Sequence, residues 1–132
     1  MLARGWGRIV MIGSTASSVG FARHSAYCGS KHGLLGLARC IALEGAAHGV
    51  TCNTISPGTV ATGLTRIGSG LRIKQGGQGR DVEENLRLIA ESYPQKRLID
   101  ADEIAGLALF LCRAEARGIT AENLVVAGGA PW

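Results

Sequence analysis

The chain has 132 residues, of which 46% are hydrophobic, 18% charged and 5% aromatic, with a formal net charge of +4. One domain with a buried α/β core suits that mix better than a disordered tail, and with so few aromatics the core volume has to come from Val, Ile, Leu and Ala. Arg and Lys are scattered, with no basic run interleaved with aromatics, which argues against a nucleic-acid surface. The longest apolar run, Ile104 to Cys112, is too short to span a bilayer.

Arg4, Arg8 and Arg23, with no acid before Glu44, faintly resemble a transit peptide. The run from Arg8 to Gly13 reads better as a buried strand, so targeting is discounted and a cytoplasmic location is expected. Cys28, Cys40, Cys52 and Cys112 form no CxxC pair and have no His at metal-ligand spacing. They are expected to be buried, reduced thiols, and no metal is expected.

Ile9 to Ile12 is a continuous apolar run ending at Gly13-Ser14, the pattern of a parallel strand covered on both faces. Thr15 to His24 is a loop of small residues. A helix is predicted from Ser25 to about Ala47, with Leu34, Leu37, Ala38, Ile41 and Ala42 as its apolar stripe, ended by Gly49. Val50 to Ile55 is a second strand, stopped by Pro57-Gly58. From Gly63 to Gly79 the chain is rich in Gly and basic residues, and a mobile loop is expected there. Asp81 to about Ser92 reads as a polar helix. Asp100 with Glu103 reads as a capping box opening a helix from Ala101 to about Ala114, packed through Ile104, Leu107, Ala108 and Leu111. Asn123 to Val126 is a last strand before Gly128-Gly129. This alternation implies a parallel sheet with right-handed crossovers, and three strands make half of a doubly wound sheet.

Tyr27 and Lys31 lie four apart on one helix and so share a face. A phenol titrates near pH ~10, and work near neutrality requires a drop of roughly three units, about 4 kcal/mol of differential stabilisation. An ammonium one turn away has the right sign to help. A YxxxK pair alone is a common surface pattern. Its context is what singles it out: Ser14 closes a buried strand thirteen positions earlier, and the ligand edge of an open α/β sheet lies at the carboxyl ends of its strands. A Ser14 hydroxyl there can bond a substrate oxygen while Tyr27 handles the proton. The loop Pro57-Gly58-Thr59-Val60-Ala61-Thr62 leaves at the same edge, where its amides and Thr62 can hold a polar ring.

Three segments together resemble the short-chain dehydrogenase/reductase family: Ile9-Val10-Met11-Ile12-Gly13-Ser14, Ser25-Ala26-Tyr27-Cys28-Gly29-Ser30-Lys31 and Asn53-Thr54-Ile55-Ser56-Pro57-Gly58. Lys96-Arg97-Leu98, Asp102-Glu103-Ile104-Ala105, Ile119-Thr120 and Gly128-Gly129 are similar to the family's C-terminal pattern, so the resemblance covers nearly the whole chain. It implies the C-terminal half of a Rossmann-like doubly wound parallel sheet, three strands with flanking helices, as a single partial domain over residues 1–132. By that resemblance Tyr27 is the general acid/base. Lys31 lowers its pKa and bonds the nicotinamide ribose, and Ser14 holds the substrate oxygen. Pro57, Gly58, Val60 and Thr62 line the nicotinamide carboxamide, and residues 63–92 form a substrate lid. The implied cofactor is NAD or NADP. The implied substrate is a small secondary alcohol or ketone, nearest in flavour to those of 3-oxoacyl-carrier-protein reductases or 3-hydroxybutyrate dehydrogenases. The full-length family form is a homo-oligomer.

Some positions depart from the family pattern. Ala121 stands where Gly is usual, Ala127 where Asp is frequent, and Ala101 where Pro is common. The Gly-rich phosphate turn, the ribose-selecting residue, the Asn-Ala-Gly strand end and the catalytic Asn have no counterpart. Gly68-Ser69-Gly70 follows no strand and has Ile73 at the third glycine position. The N-terminal half is therefore expected to be missing, Met1 to be an internal methionine of a longer protein, and the chain as it stands to be inactive. The alternative is a non-catalytic fragment or a partner subunit lacking its nucleotide-binding half. His24, His32 and His48 have no acid spaced to build a triad, and Ser14 lies in no GxSxG elbow. Arg66, Arg72, Lys74 and Arg80 are read as solvated, with contact to an anionic substrate as the sharper option.

Overall fold

Strand β2, Val50–Pro57, is buried at every position and is the centre of the molecule. The structure, a computed structural model, describes residues 1–74 and 81–130, with the side chains of Ser69 and of residues 71–74 outside that description. Strands β1 (Gly7–Ile12) and β3 (Asn123–Val126) flank β2, both parallel to it, in the order β1-β2-β3. This is the three-stranded parallel sheet that the alternation of elements implies. β1 is an edge strand, and its residues from Arg8 to Met11 are only half-buried.

Helix α1 (Ser25–Ala46) covers one face of the sheet. Its Ala38 and Ala42 pack on Cys52, with Ile9, Met11, Ile41 and Ala121 around them. The residues it buries include Leu35, Ala38 and Ala42, whereas Leu37 is 53% exposed. Of the expected stripe, Leu34, Ala38, Ile41 and Ala42 are buried or half-buried, and Leu37 alone gives way to Leu35. A helix in which Leu34, Leu35 and Leu37 all offer apolar surface leaves its facing side to the sheet, and the small Ala38 and Ala42 allow the closest approach. Gly49 turns the chain into β2 at φ 66, where a Cβ would lie 2.4 Å from the Gly5 carbonyl oxygen.

The other face carries α4 (Ala101–Leu111), which ends before Ala114, where a separate 3-10 turn, Ala114–Ala116, begins. Ile55, Leu111 and Ala116 form its core with Val10, Ile104, Leu107, Ala108, Ile119, Leu124 and Val126. Ile9 and Met11 thus serve the α1 face and Val10 the α4 face, the period-two alternation of a strand with both sides in use. At the start of α4 the Glu103 carboxylate accepts the Asp100 amide at 2.9 Å and a two-pronged Arg97 guanidinium at 2.6 and 2.9 Å. The Asn53 side chain ties β2 to the approach of β3, donating to the Ile119 carbonyl and accepting from the Glu122 amide.

Two further expectations change. Gly63 to Lys74 is a helix, α2, where a loop was expected; the rest of that stretch, 75–80, lies outside the described residues. Each interior glycine costs a helix about 1 kcal/mol, so local propensity disfavours it. It is held from outside, by Thr62 at its start and by α3 (Val82–Ser92) alongside, where Arg66 pairs with Glu83. Asp81 caps α3, accepting the Glu84 amide at 2.7 Å. All four cysteines are free, but only Cys28 and Cys52 are buried; Cys40 and Cys112 are exposed. Burial pushes the Cys52 thiol above its usual range, which makes it inert. Ala121, which stands where the resembled family usually has Gly, adopts φ 64, a left-handed conformation that strains a residue with a Cβ.

Candidate active site

The site is assembled where β1 and β2 end. The ladder runs one residue past β1, the Gly13 amide donating to the Ile55 carbonyl at 2.7 Å. A Cβ on Gly13 would lie 2.7 Å from Ser56 Oγ and 2.8 Å from both Ser17 Oγ and Thr54 Cγ2, so only glycine lets the chain press onto β2 here. Ser14 follows at once. It caps a 3-10 turn, Thr15–Ser17: its Oγ accepts the Ala16 amide at 3.2 Å, and its own amide donates to the buried Ser17 Oγ at 3.2 Å. That geometry assigns the hydroxyl a direction. An Oγ lone pair is committed to the turn, and no acceptor among the described residues takes its proton, so Ser14 keeps a free hydrogen-bond donor.

Tyr27 lies in the first turn of α1 and is 47% exposed. One turn on, Lys31 Nζ donates to the Ile12 carbonyl at 2.9 Å and lies 5.8 Å from the centre of the Tyr27 ring. The helix pair expected from spacing is thereby tied to the strand end that presents Ser14. A fixed positive charge stands beside the phenol, within the range of a cation–π contact.

The loop after β2 is pinned along most of its length. The Gly58 amide donates to Val126, Thr59 to the Tyr93 hydroxyl and Ala61 to Ile99, while the Thr59 carbonyl accepts the Ile99 amide. Val60 and Ile99 form a parallel bridge. Pro57 is the last residue of β2 and does not stop it early. Thr62 Oγ1 accepts the Thr65 amide at 3.3 Å, so its side chain holds the start of α2. Among the described residues nothing takes the amide hydrogen of Val60 or of Thr62. These two open donors are what the loop offers a polar ring.

A cavity of about 70 Å³ adjoins this loop, lined by Ala61, Thr62, Thr65, Arg66, Leu86 and Leu98. A larger apolar one, about 210 Å³ and lined by Met1, Leu2, Ile9, Ile41, Glu44, Gly45 and Val50, lies at the amino ends of the strands, away from the site. Arg66 is paired with Glu83, and the Arg72 and Lys74 side chains and Arg80 lie outside the described residues. Among the described residues no cluster of ligating side chains could hold a metal. Sequence reasoning missed Ser17 and Tyr93, which hold the Ser14 turn and the Thr59 loop; a serine in a serine-rich loop and a tyrosine before a proline carry no signal of their own.

A family model described as enoyl-(acyl carrier protein) reductase matches residues 1–131. An oxidoreductase of Bacillus subtilis (strain 168), YxjF, is 41% identical over 94% of this chain and 48% of its own length. A D-beta-hydroxybutyrate dehydrogenase of Rhizobium meliloti (strain 1021) is 36% identical over 98% of this chain and 50% of its own. The crystal structure of an F189W actinorhodin polyketide ketoreductase with NADPH superposes with a TM-score of 0.90 at 33% identity, covering 98% of this chain and 49% of that one. The chain spans about half the length of the curated relatives it matches. With a sheet, a strand-end serine and a tyrosine–lysine helix in the arrangement that the motifs imply, the chain belongs to the short-chain dehydrogenase/reductase family.

Proposed function

We propose that this chain carries the acid/base side of a reversible oxidoreduction between NAD or NADP and a secondary alcohol or ketone of the 3-oxoacyl or hydroxy-acid type. The observation that carries the reading is the Lys31–Ile12 hydrogen bond, which gathers Tyr27, Lys31 and the Ser14 turn at one edge of the sheet. The residues present fit a nicotinamide: the open amides of Val60 and Thr62 match a carboxamide acceptor, and Lys31 is placed one helical turn from Tyr27 for the ribose hydroxyls. Pro57 and Gly58 form the backbone wall behind them. When bound, the nicotinamide supplies or accepts the hydride.

Ser14 donates its hydroxyl proton to the substrate oxygen and fixes that oxygen near the helix. Tyr27 Oη gives a proton to the oxygen in reduction and takes it in oxidation, a step worth about 10²–10⁴ in rate. Lys31 stabilises negative charge on the phenol side and holds the ribose. Within residues 63–92, the helices α2 and α3 beside the loop act as the substrate lid. Partners of the working form are the small-molecule substrate and further copies of the protein, in the cytoplasm. Among the described residues no helix is long and apolar enough to cross a membrane.

A second reading, a non-catalytic fragment or a partner subunit without turnover of its own, has a specific observation behind it. Among the described residues no strand leads through a glycine-rich turn into a helix that could seat a pyrophosphate. One fusion tests both readings. The chain is joined behind the amino-terminal half of a hydroxybutyrate dehydrogenase and compared with its Tyr27→Phe variant. The expected result is turnover in the fusion only, with kcat down about 10²-fold or more in Tyr27→Phe and dinucleotide affinity little changed. Near-wild-type kcat in Tyr27→Phe removes Tyr27 from the chemistry. A fusion that folds and binds dinucleotide without turnover favours the second reading.

A further inference from the structure

We infer that Tyr93 is a positioning residue that aims the Val60 amide at the nicotinamide side of the site; the inference rests on the function proposed above. Tyr93 is the residue immediately after α3, thirty-four positions from Thr59 in sequence. Its hydroxyl oxygen accepts the Thr59 amide at 2.8 Å, and its proton goes to Thr59 Oγ1 at 2.9 Å. Donor and acceptor are both spent on one residue, so Tyr93 has no proton to offer a substrate and is not a second acid/base.

The peptide geometry gives that contact its consequence. A trans peptide points its carbonyl and its amide in opposite directions. The Thr59 carbonyl is taken by the Ile99 amide at 3.0 Å, which turns the Val60 amide away from residue 99 and leaves it open. Ile99 fixes one end of this unit, and Tyr93 fixes the other by holding the Thr59 amide and side chain together. Tyr93 is itself held in place. A Cβ on Gly58 would lie 3.1 Å from the Tyr93 hydroxyl and 3.1 Å from Ala127 Cα, and one on Gly129 would lie 3.1 Å from Pro94. The Gln95 amide donates to the Gly128 carbonyl at 3.1 Å. The end of α3 is thus wedged between the loop after β2 and the turn after β3. The Tyr93 phenol thus ties the end of α3 to the Thr59 unit that carries the Val60 amide.

The test is Tyr93→Phe in the fusion described above, which keeps the ring and its packing and removes only the hydroxyl. Amide exchange at Thr59 and chemical shifts at Val60 are followed by NMR, with NADH and NADPH as probes and Lys31→Ala as the comparison. Tyr93→Phe should raise exchange at Thr59 about tenfold, since its donor loses a part-buried partner, and weaken dinucleotide binding about three- to tenfold. In the fusion it should raise the dinucleotide KM by a similar factor with kcat within about twofold, a split that general destabilisation would not produce. Unchanged exchange at Thr59 overturns the inference. Faster exchange with unchanged affinity, while Lys31→Ala weakens binding, also overturns it and leaves the proposed function standing. No response of Val60 to either dinucleotide in the wild-type fusion overturns the reading of the site and this inference with it.

Discussion

The ammonium of Lys31 donates to the carbonyl of Ile12 at 2.9 Å, across nineteen positions of sequence. Ile12 is the last residue of β1 and Ser14 stands two beyond it, so this bond joins the helix that presents Tyr27 to the strand that presents the serine. Both sides of the candidate site are thereby tied together by one cation in the absence of any ligand.

Lys31→Ala should therefore act on the chain without ligand. The bond is exposed, so its net value lies toward the low end for a charged donor, about 1 kcal/mol. Urea unfolding should show a lower midpoint with an unchanged slope. A midpoint equal to wild type would show that the Ile12 contact contributes nothing to the fold.

Gly13→Ala should damage stability and site together. The added methyl would meet Ser56 Oγ, Ser17 Oγ and Thr54 Cγ2, all closer than 3.0 Å, and none is the far end of a long flexible chain. Overpacking of this kind costs about 1–3 kcal/mol. Relief of the clash requires β1 to lift from β2, carrying Ser14 with it, so kcat in the fusion should fall alongside the unfolding midpoint. Loss of stability with full kcat would place the strain elsewhere in the strand.

Acid titration should expose the Arg97–Glu103 pair. The Arg97 guanidinium, helped by the Asp100 amide, holds the Glu103 carboxyl down at about 2. An unperturbed glutamate titrates near ~4.3. Because the folded value is the lower one, the pair's contribution is whole above pH ~4.3 and is lost as pH falls toward about 2. The difference in urea midpoint between wild type and Glu103→Gln should be present at neutral pH, shrink through that window and vanish at its lower end. Both groups face solvent, so the difference should be small and reduced by salt. A difference that persists unchanged in acid would assign it to packing of α4 instead.

The sequence by itself determined the elements whose cause is local. Apolar runs placed β1 and β3, the latter to the residue, whereas β2 is buried at every position although Thr51, Asn53, Thr54 and Ser56 are polar. The Asp100–Glu103 pair announced its helix, because orphan amides at a helix start need an acceptor within three residues. Tyr27 and Lys31 were legible as one face from their spacing, and with Ser14 and the Pro57-Gly58 loop they carried the resemblance to the family. The tertiary structure decided what depends on contacts between distant residues. The sheet selected Leu35 over Leu37, since periodicity fixes an apolar face only to within one position when three leucines crowd it. Residues 63–74 became helical against their glycines, because α3 and the Thr62 cap lie outside any local window. The open amide of Val60 and the part Tyr93 plays in aiming it could not be read from the chain, because a backbone amide is free or engaged according to what folds against it.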